Sequence, residues 1–295
     1  MEKRTAMTHT GKSSRHSAHR KLGGPLMPLA HFGAWLYVLL LLSPLYYILI
    51  SSQKTNIEIF RNPVSPVGSA GIGNYIAAVD YANLGQAVFN SAYITVGAEV
   101  LTLLLAVPAA YGLSRASGRL SLFIERIFAL GFLIPGFAAL MPTALLAISL
   151  GLFQTREFFI LFLPATALPL TVILLVQAMR AIPKELEESA VLDGASTLEI
   201  LWFIFMPLTM PTIVLVAIVD FLNFWNEYFF TLVIGGVQVE VRTIQVALPT
   251  LTSAMNSQFG ILAAGIVVSL VPVYAVYALT ARRMEEALIA GAVKG

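Results

Sequence analysis

Residues 158–207 read FFILFLPATALPLTVILLVQAMRAIPKELEESAVLDGASTLEILWFIFMP. The part spanning 158–179 carries no charge, and about 20 such residues at 1.5 Å each cross a hydrocarbon core of about 30 Å. From Arg180 the character changes abruptly, with Glu185, Glu187, Glu188, Asp193 and Glu199 arriving before the apolar run resumes. Two membrane helices joined by a structured, acidic connection is the reading this contrast supports.

The rest of the chain repeats the pattern. Of its 295 residues 58% are hydrophobic and 12% charged, with mean hydropathy +0.81; a soluble domain carries roughly 25% charge. Six apolar runs are long enough to span: 28–50, 88–113, 123–150, 158–179, 208–235 and 259–280. The expected fold class is therefore an all-α, polytopic bundle of six transmembrane helices. Pro108, Pro135, Pro142, Pro164, Pro169 and Pro272 fall inside these runs. In a bundle, neighbours satisfy the carbonyls that proline frees, so kinked spans are expected rather than breaks.

Composition also narrows the chemistry. With no cysteine there is no disulfide, thiol nucleophile or thiolate metal site. All four histidines (His9, His16, His19 and His31) lie near the N-terminus, so no imidazole is available for a general acid–base or zinc site further on. His16 and His19 alone make an incomplete metal site, and no metal is assigned. Gly11, Lys12 and Ser13 imitate the end of a phosphate-binding loop, but Ala6 stands where its first glycine belongs. No nucleic-acid partner is expected.

Orientation follows from the basic residues, which concentrate on cytoplasmic loops. With the N-terminus inside, only Lys54, Arg61, Arg156 and Arg242 of the 18 fall outside. Both termini are thus expected in the cytoplasm, in a multi-pass protein of the bacterial cytoplasmic membrane. Residues 1–26 form a polar, basic tail expected to be disordered. Residues 27–281 form the membrane domain, including the segment 180–207, and 282–295 form a cytoplasmic tail.

That segment has its own punctuation. Pro183 suits the first turn of a helix, the acidic residues behind it favour the positive end of the helix dipole, and Gly194 gives a stop. Ser196 and Glu199 make a capping-box pattern that starts a second helix, expected to run until Pro207. Helix, glycine turn and helix would lie on the cytoplasmic surface. Anionic headgroups would repel its acids, which favours a soluble protein partner over lipid.

Charge inside the membrane asks for a reason, because each group costs on the order of 2.5–3.5 kcal/mol on insertion scales. Glu99 lies halfway along the second run. In the fifth, Asp220, Asn223 and Glu227 fall on one helical face with Phe224 beside them. Carboxylates and amides next to a ring suit a polyhydroxylated ligand; the same groups would equally serve to join helices. Trp225, Tyr228 and Phe229 read as packing or interface anchors.

The string Glu188-Ser189-Ala190-Val191-Leu192-Asp193-Gly194-Ala195, followed by Ile204 and Pro207, resembles the EAA loop of bacterial ABC importer permeases. Ser189 replaces that motif's first alanine and Met206 its usual leucine. Asn74-Tyr75, Asn90-Ser91, the run Ala110 to Arg115, Trp225-Asn226-Glu227 and the ending Gly291 to Gly295 are similar to the carbohydrate type of these permeases. The resemblance implies a type I importer permease fold and a non-catalytic half of a sugar pathway. It further implies a second related permease, an extracytoplasmic solute-binding protein, and a cytoplasmic ATPase dimer that binds ATP and magnesium, this chain holding no cofactor. Glu188 and Asp193 would then contact the ATPase, Ala190 would permit close approach, and Gly194 would turn the chain. Gly291, Lys294 and Gly295 would reach towards the ATPase pair, while Asp220, Asn223, Phe224, Asn226, Glu227 and Glu99 would line a substrate pathway or gate. A proton-coupled secondary transporter working through Glu99, Asp220 and Glu227 remains the alternative; an intramembrane enzyme using paired carboxylates lacks a recognisable motif.

Overall fold

The computed structural model describes the backbone of residues 26–253 and 256–292 and the side chains of 28–252 and 258–281. The readings on His9, His16 and His19 and on Gly11, Lys12 and Ser13, and Lys294 and Gly295, lie outside the described residues, whereas His31 falls in α1. Residues 1–46 and 47–295 form two compact units. Helix α1 (Leu26–Ser51) crosses this division, is mostly apolar and tolerates Pro44. There the Ser43 hydroxyl donates to the Leu40 carbonyl at 2.8 Å, a bond within the helix itself.

The second unit is built on long helices. They are α4 (Leu84–Arg115), α7 (Arg156–Arg180), α10 (Met206–Trp225) and α12 (Phe259–Ala292), with the short α2 (Asn56–Arg61) and α3 (Gly73–Ala82) preceding α4. The α4–α7 pairing is the most extensive, and α10 packs on α4, α7 and α12. Small side chains permit it: Ala98, Ala106, Ala110 and Ala167 are buried where these helices meet. Thr252–Ser253 and Asn256–Ser257 form a two-residue antiparallel ladder before α12, the only strands among the described residues.

Two of the six apolar runs depart from expectation. Run 123–150 is two helices, α5 (Arg119–Gly131) and α6 (Gly136–Ser149), bent by 98°. At 13 and 14 residues each is about 20 Å long, too short to cross alone. Proline supplies the break: Pro135 has no N–H to continue the ladder, and residue 134 is pushed away from helical angles. The corner stays hydrogen-bonded through Leu133 N–H to Leu130 and Ala138 N–H to Pro135, both 3.0 Å.

The fifth span also moves. Pro207 does not end the helix that Ser196 starts; α9 (Thr197–Ile200) passes through a π-helical turn, Leu201–Phe205, directly into α10. In a regular helix the Pro207 ring would strike the carbonyl of Phe203. The wider turn, closed by Met206 N–H to the Leu201 carbonyl, absorbs that conflict. The span is therefore Thr197–Trp225 and not 208–235, and the second helix of the acidic segment is the start of a span rather than a surface helix.

The loop after α1 is stitched to the start of α12. Asn74 Nδ2 donates to the carbonyls of Ser52 (3.0 Å) and Lys54 (2.9 Å), and the Tyr75 and Ser52 hydroxyls pair at 2.7 Å. Lys54, fully buried, donates through Nζ to the carbonyls of Asn62 and Pro63. A Cβ at Gly260 would lie 2.1 Å from the Lys54 carbonyl oxygen, so only glycine lets the α12 N-terminus come this close. Gly260→Ala should destabilise the protein by about 1–3 kcal/mol, an overpacking cost. The check is a lowered thermal midpoint in detergent, with Gly85→Ala, at a site where a Cβ meets nothing, as the control.

Glu58 closes a capping box with Thr55 and also accepts from the Ser69 N–H at 3.1 Å. The Thr55 backbone bond, followed by the bonds from Ser69, holds its pKa down at about 2, from 4.5. A depressed folded-state pKa means that the carboxylate's contribution is intact above about 4.5 and lost as pH falls towards 2. Amide exchange at Thr55 and Ser69 should accelerate, relative to neighbouring amides, only below about pH 4.5; in Glu58→Gln it should lack that dependence.

Candidate functional site

Helix α8 (Lys184–Leu192) fills the connection between α7 and α9 and has no buried residue. Pro183 is its N-cap rather than a member of its first turn. It ends in a Schellman motif: Ala195 N–H donates to the Ala190 carbonyl and Gly194 N–H to that of Val191, both at 3.0 Å. Gly194 takes φ +87°, which a side chain would resist. Immediately afterwards Ser196 accepts from Glu199 N–H at 3.4 Å while its own N–H donates to the Glu199 carboxylate at 2.7 Å. One helix is thus closed and the next opened within four residues, both ends satisfied.

The segment is two-faced. Ala190, Ala195 and Ile204 pack on the buried cluster formed by α4, α7 and the π turn. The approach that Ala190 permits here is to the chain's own core. Glu188, Ser189 and Asp193 face outward, as do Val191 and Leu192, the last 88% exposed, while Pro207 is exposed further along. An open cleft of about 590 Å³ runs between α8 and the end of α4, lined by Arg115, Lys184, Glu187, Glu188, Val191 and Leu192. Unlike Glu188, Glu187 is bound within the chain, accepting from Tyr111 Oη (2.9 Å) and Arg115 Nε (2.7 Å). Sequence reasoning placed Glu187 in the acidic group without this partner, because Arg115 lies 72 positions earlier and no local spacing connects them.

The intramembrane polar residues separate into three environments. Asp220, 2% exposed, accepts from the Thr171 hydroxyl of α7 at 2.7 Å, so it joins two helices. Thr171 carried no sequence signal. Glu99, midway along α4, is within electrostatic reach of Asp220, and both its carboxylate oxygens are buried without a hydrogen-bond partner. Asn223 and Asn226 are uncovered, and Phe224 is buried.

The one-face stripe expected of Asp220, Asn223 and Glu227 does not form, because α10 stops at Trp225. Glu227 lies past the helix end and accepts from the N–H groups of Phe230 (2.9 Å) and Thr231 (2.8 Å), starting the next turn of the chain. It borders a small cavity of about 190 Å³ with Phe137, Leu140, Phe229 and Phe230. Trp225 is a packing anchor, buried, with Nε1 donating to the Ser269 carbonyl at 3.2 Å.

Residues 102–286 match the family of binding-protein-dependent transport system inner membrane components. The chain belongs to that family. It is a multi-pass membrane permease subunit of a transporter, which sets aside the proton-coupled alternative. It is 34% identical to a probable starch degradation products transport system permease of Thermoanaerobacterium thermosulfurigenes, over 87% of this chain and 93% of that one. Identity is 30% to the diacetylchitobiose uptake permease of Streptomyces coelicolor, over 89% and 87%. A chain of a bacterial ABC transporter that imports the acidic polysaccharide alginate shares the fold, with TM-score 0.75 and 24% identity over 87% of this permease and 95% of that chain.

Removing Asp220 should leave the Thr171 hydroxyl unpaired in the bundle, at a cost of about 1–3 kcal/mol. Asp220→Ala and Thr171→Val should each lower the thermal midpoint of the purified permease. The double variant should lose less than the sum, the signature of a shared bond.

Proposed function

We propose that this permease forms half of the translocation pathway of an ATP-driven carbohydrate importer. A second related permease would supply the other half, a solute-binding protein would deliver the sugar from outside, and a separate cytoplasmic ATPase dimer would bind ATP and magnesium. The observation that carries this reading is the exposed α8, closed at its C-terminal end by a Schellman motif and set between two spans. Glu188 and Asp193 offer it carboxylates and Val191 and Leu192 an apolar edge, which together suit a protein cleft better than an anionic membrane surface. The relatives named for starch products and diacetylchitobiose support a sugar as cargo.

On this reading α8 and both termini lie in the cytoplasm, with Gly291, Lys294 and Gly295 directed to the ATPase pair. Asn223, polar yet uncovered by its own chain, borders water or the second permease, since lipid would leave its amide unpaired; Asn226 is exposed beside it, its amide already held by Leu222 and Gln245. Asp220, Phe224 and Glu99 stand behind that face and Glu227 at its end, forming the wall or gate of the pathway.

The absence of native cysteine makes orientation directly measurable. Glu188→Cys should react with an impermeant maleimide in inside-out vesicles and not in intact spheroplasts, and Val64→Cys the reverse; a swapped pattern would overturn the topology. Gly194→Val should insert normally but lower ATP-dependent uptake at least tenfold in the assembled importer, because the left-handed turn is lost. The permease reconstituted alone should move no sugar. Protonophore-sensitive accumulation by that preparation would refute the proposal.

A further inference from the structure

We infer that Glu187, Tyr111 and Arg115 form a clamp that carries movement of α8 into α4, making them positioning residues for transport. The inference rests on the proposed role of α8 as the docking element. Covalently, α8 is tied only to α7 and α9. Its strongest polar attachment goes elsewhere: Glu187, in its first turn, takes Arg115 Nε at 2.7 Å and Tyr111 Oη at 2.9 Å. Both donors sit on the last turns of α4. Arg115 also donates through Nη2 to the Ile182 carbonyl at 3.1 Å, which fixes the strand of chain entering α8.

The clamp is also packed from behind. The Arg115 guanidinium lies 4.6 Å from the ring centre of Phe205, and the Tyr111 ring meets the same ring edge-on at 4.8 Å. Phe205 is fully buried and closes the π turn that leads from α9 into α10. Side chains of the ion pair are 14% and 24% exposed, so water screens it little. One joint therefore gathers α8, the end of α4 and the entry to α10.

The direction of transmission follows from α4 itself. Helix α4 runs unbroken from Leu84 to Arg115, Pro108 included, so a displacement at its end is passed along its axis. Sixteen residues above Arg115, about 24 Å along the helix, sits Glu99, whose electrostatic neighbour is Asp220. Displacing α8 would thereby be felt in mid-membrane along α4 and, through Phe205, along α10, whereas a loop held only by its two covalent ends would let α8 swivel.

The test uses the whole importer, with both permeases, ATPase and binding protein in proteoliposomes, and reads sugar transported per ATP hydrolysed. Arg115→Glu and Glu187→Arg should each lower that ratio at least fivefold while the complex still assembles. The reciprocal double variant, which restores an ion pair with reversed sign, should recover it to within about twofold of wild type. Tyr111→Phe, which keeps the ring against Phe205, should lower it less. A ratio unchanged in both charge variants overturns the clamp, as does failure of the double variant to recover any of it. Should Arg115→Glu not assemble, Glu187→Gln supplies the same reading with a smaller change. A wild-type complex that transports without the ATPase would instead refute the proposed function, so the two failures are told apart.

Discussion

Inside hydrocarbon, a backbone N–H or carbonyl that loses its helical partner has no water to turn to. Every irregularity in the spans of this permease is resolved under that constraint. At Pro135 the elbow between α5 and α6 tightens to bonds three residues apart. Ahead of Pro207 the ladder widens into a π turn, and after Trp225 the side chain of Glu227 accepts two N–H groups that the interrupted helix can no longer satisfy. Three chemically different devices serve one requirement, and each marks a departure from a regular helix.

Those bends mark the limit of what the sequence discloses. Apolar runs read by composition place α1, α4, α7 and the start of α12 to within a few residues, because their length and lack of charge are sufficient. Ser196 and Glu199, or Pro183 and Gly194, are legible for a related reason: a cap is decided by residues three or four apart. Run 123–150 shows a proline but not whether neighbours will straighten the helix around it, and Pro207 looked like a terminator because a π turn has no compositional mark. Tertiary partners are the least legible. The Tyr111 and Arg115 side chains meet Glu187 only because α4 and α7 pack side by side, which nothing within either segment announces.

Motif residues behave accordingly. Asn74 and Tyr75 tie the start of α3 to the loop after α1, and the Asn90 amide donates to the carbonyls of Val239 and Arg242 while Ser91 accepts from Ile244 N–H. These are long-range stitches between a loop and a helix end, each replacing backbone bonds that irregular chain cannot make with itself. Their place in the resemblance therefore reflects the fold. Asn223 differs, since its side chain is exposed and makes none of these stitches, while the exposed Asn226 amide is held by its own chain, donating to the Leu222 carbonyl at 2.8 Å and accepting from Gln245 Nε2 at 3.1 Å.

The acidic connection brings these themes together. A reversal between two spans has its helix ends exposed to solvent, where slack would cost nothing, yet here a Schellman motif closes α8, a capping box opens α9 and Glu187 is bridged to α4. Such completeness makes the element stiff, and stiffness is of little use to a simple tether. It matters when two helices must be displaced together by a force applied at one exposed face. The outward acids and the bare Leu192 offer such a face, while Ala190, Ala195 and Ile204 pack its reverse side on the core, so that the exposed surface and the interior are separated by a single helix.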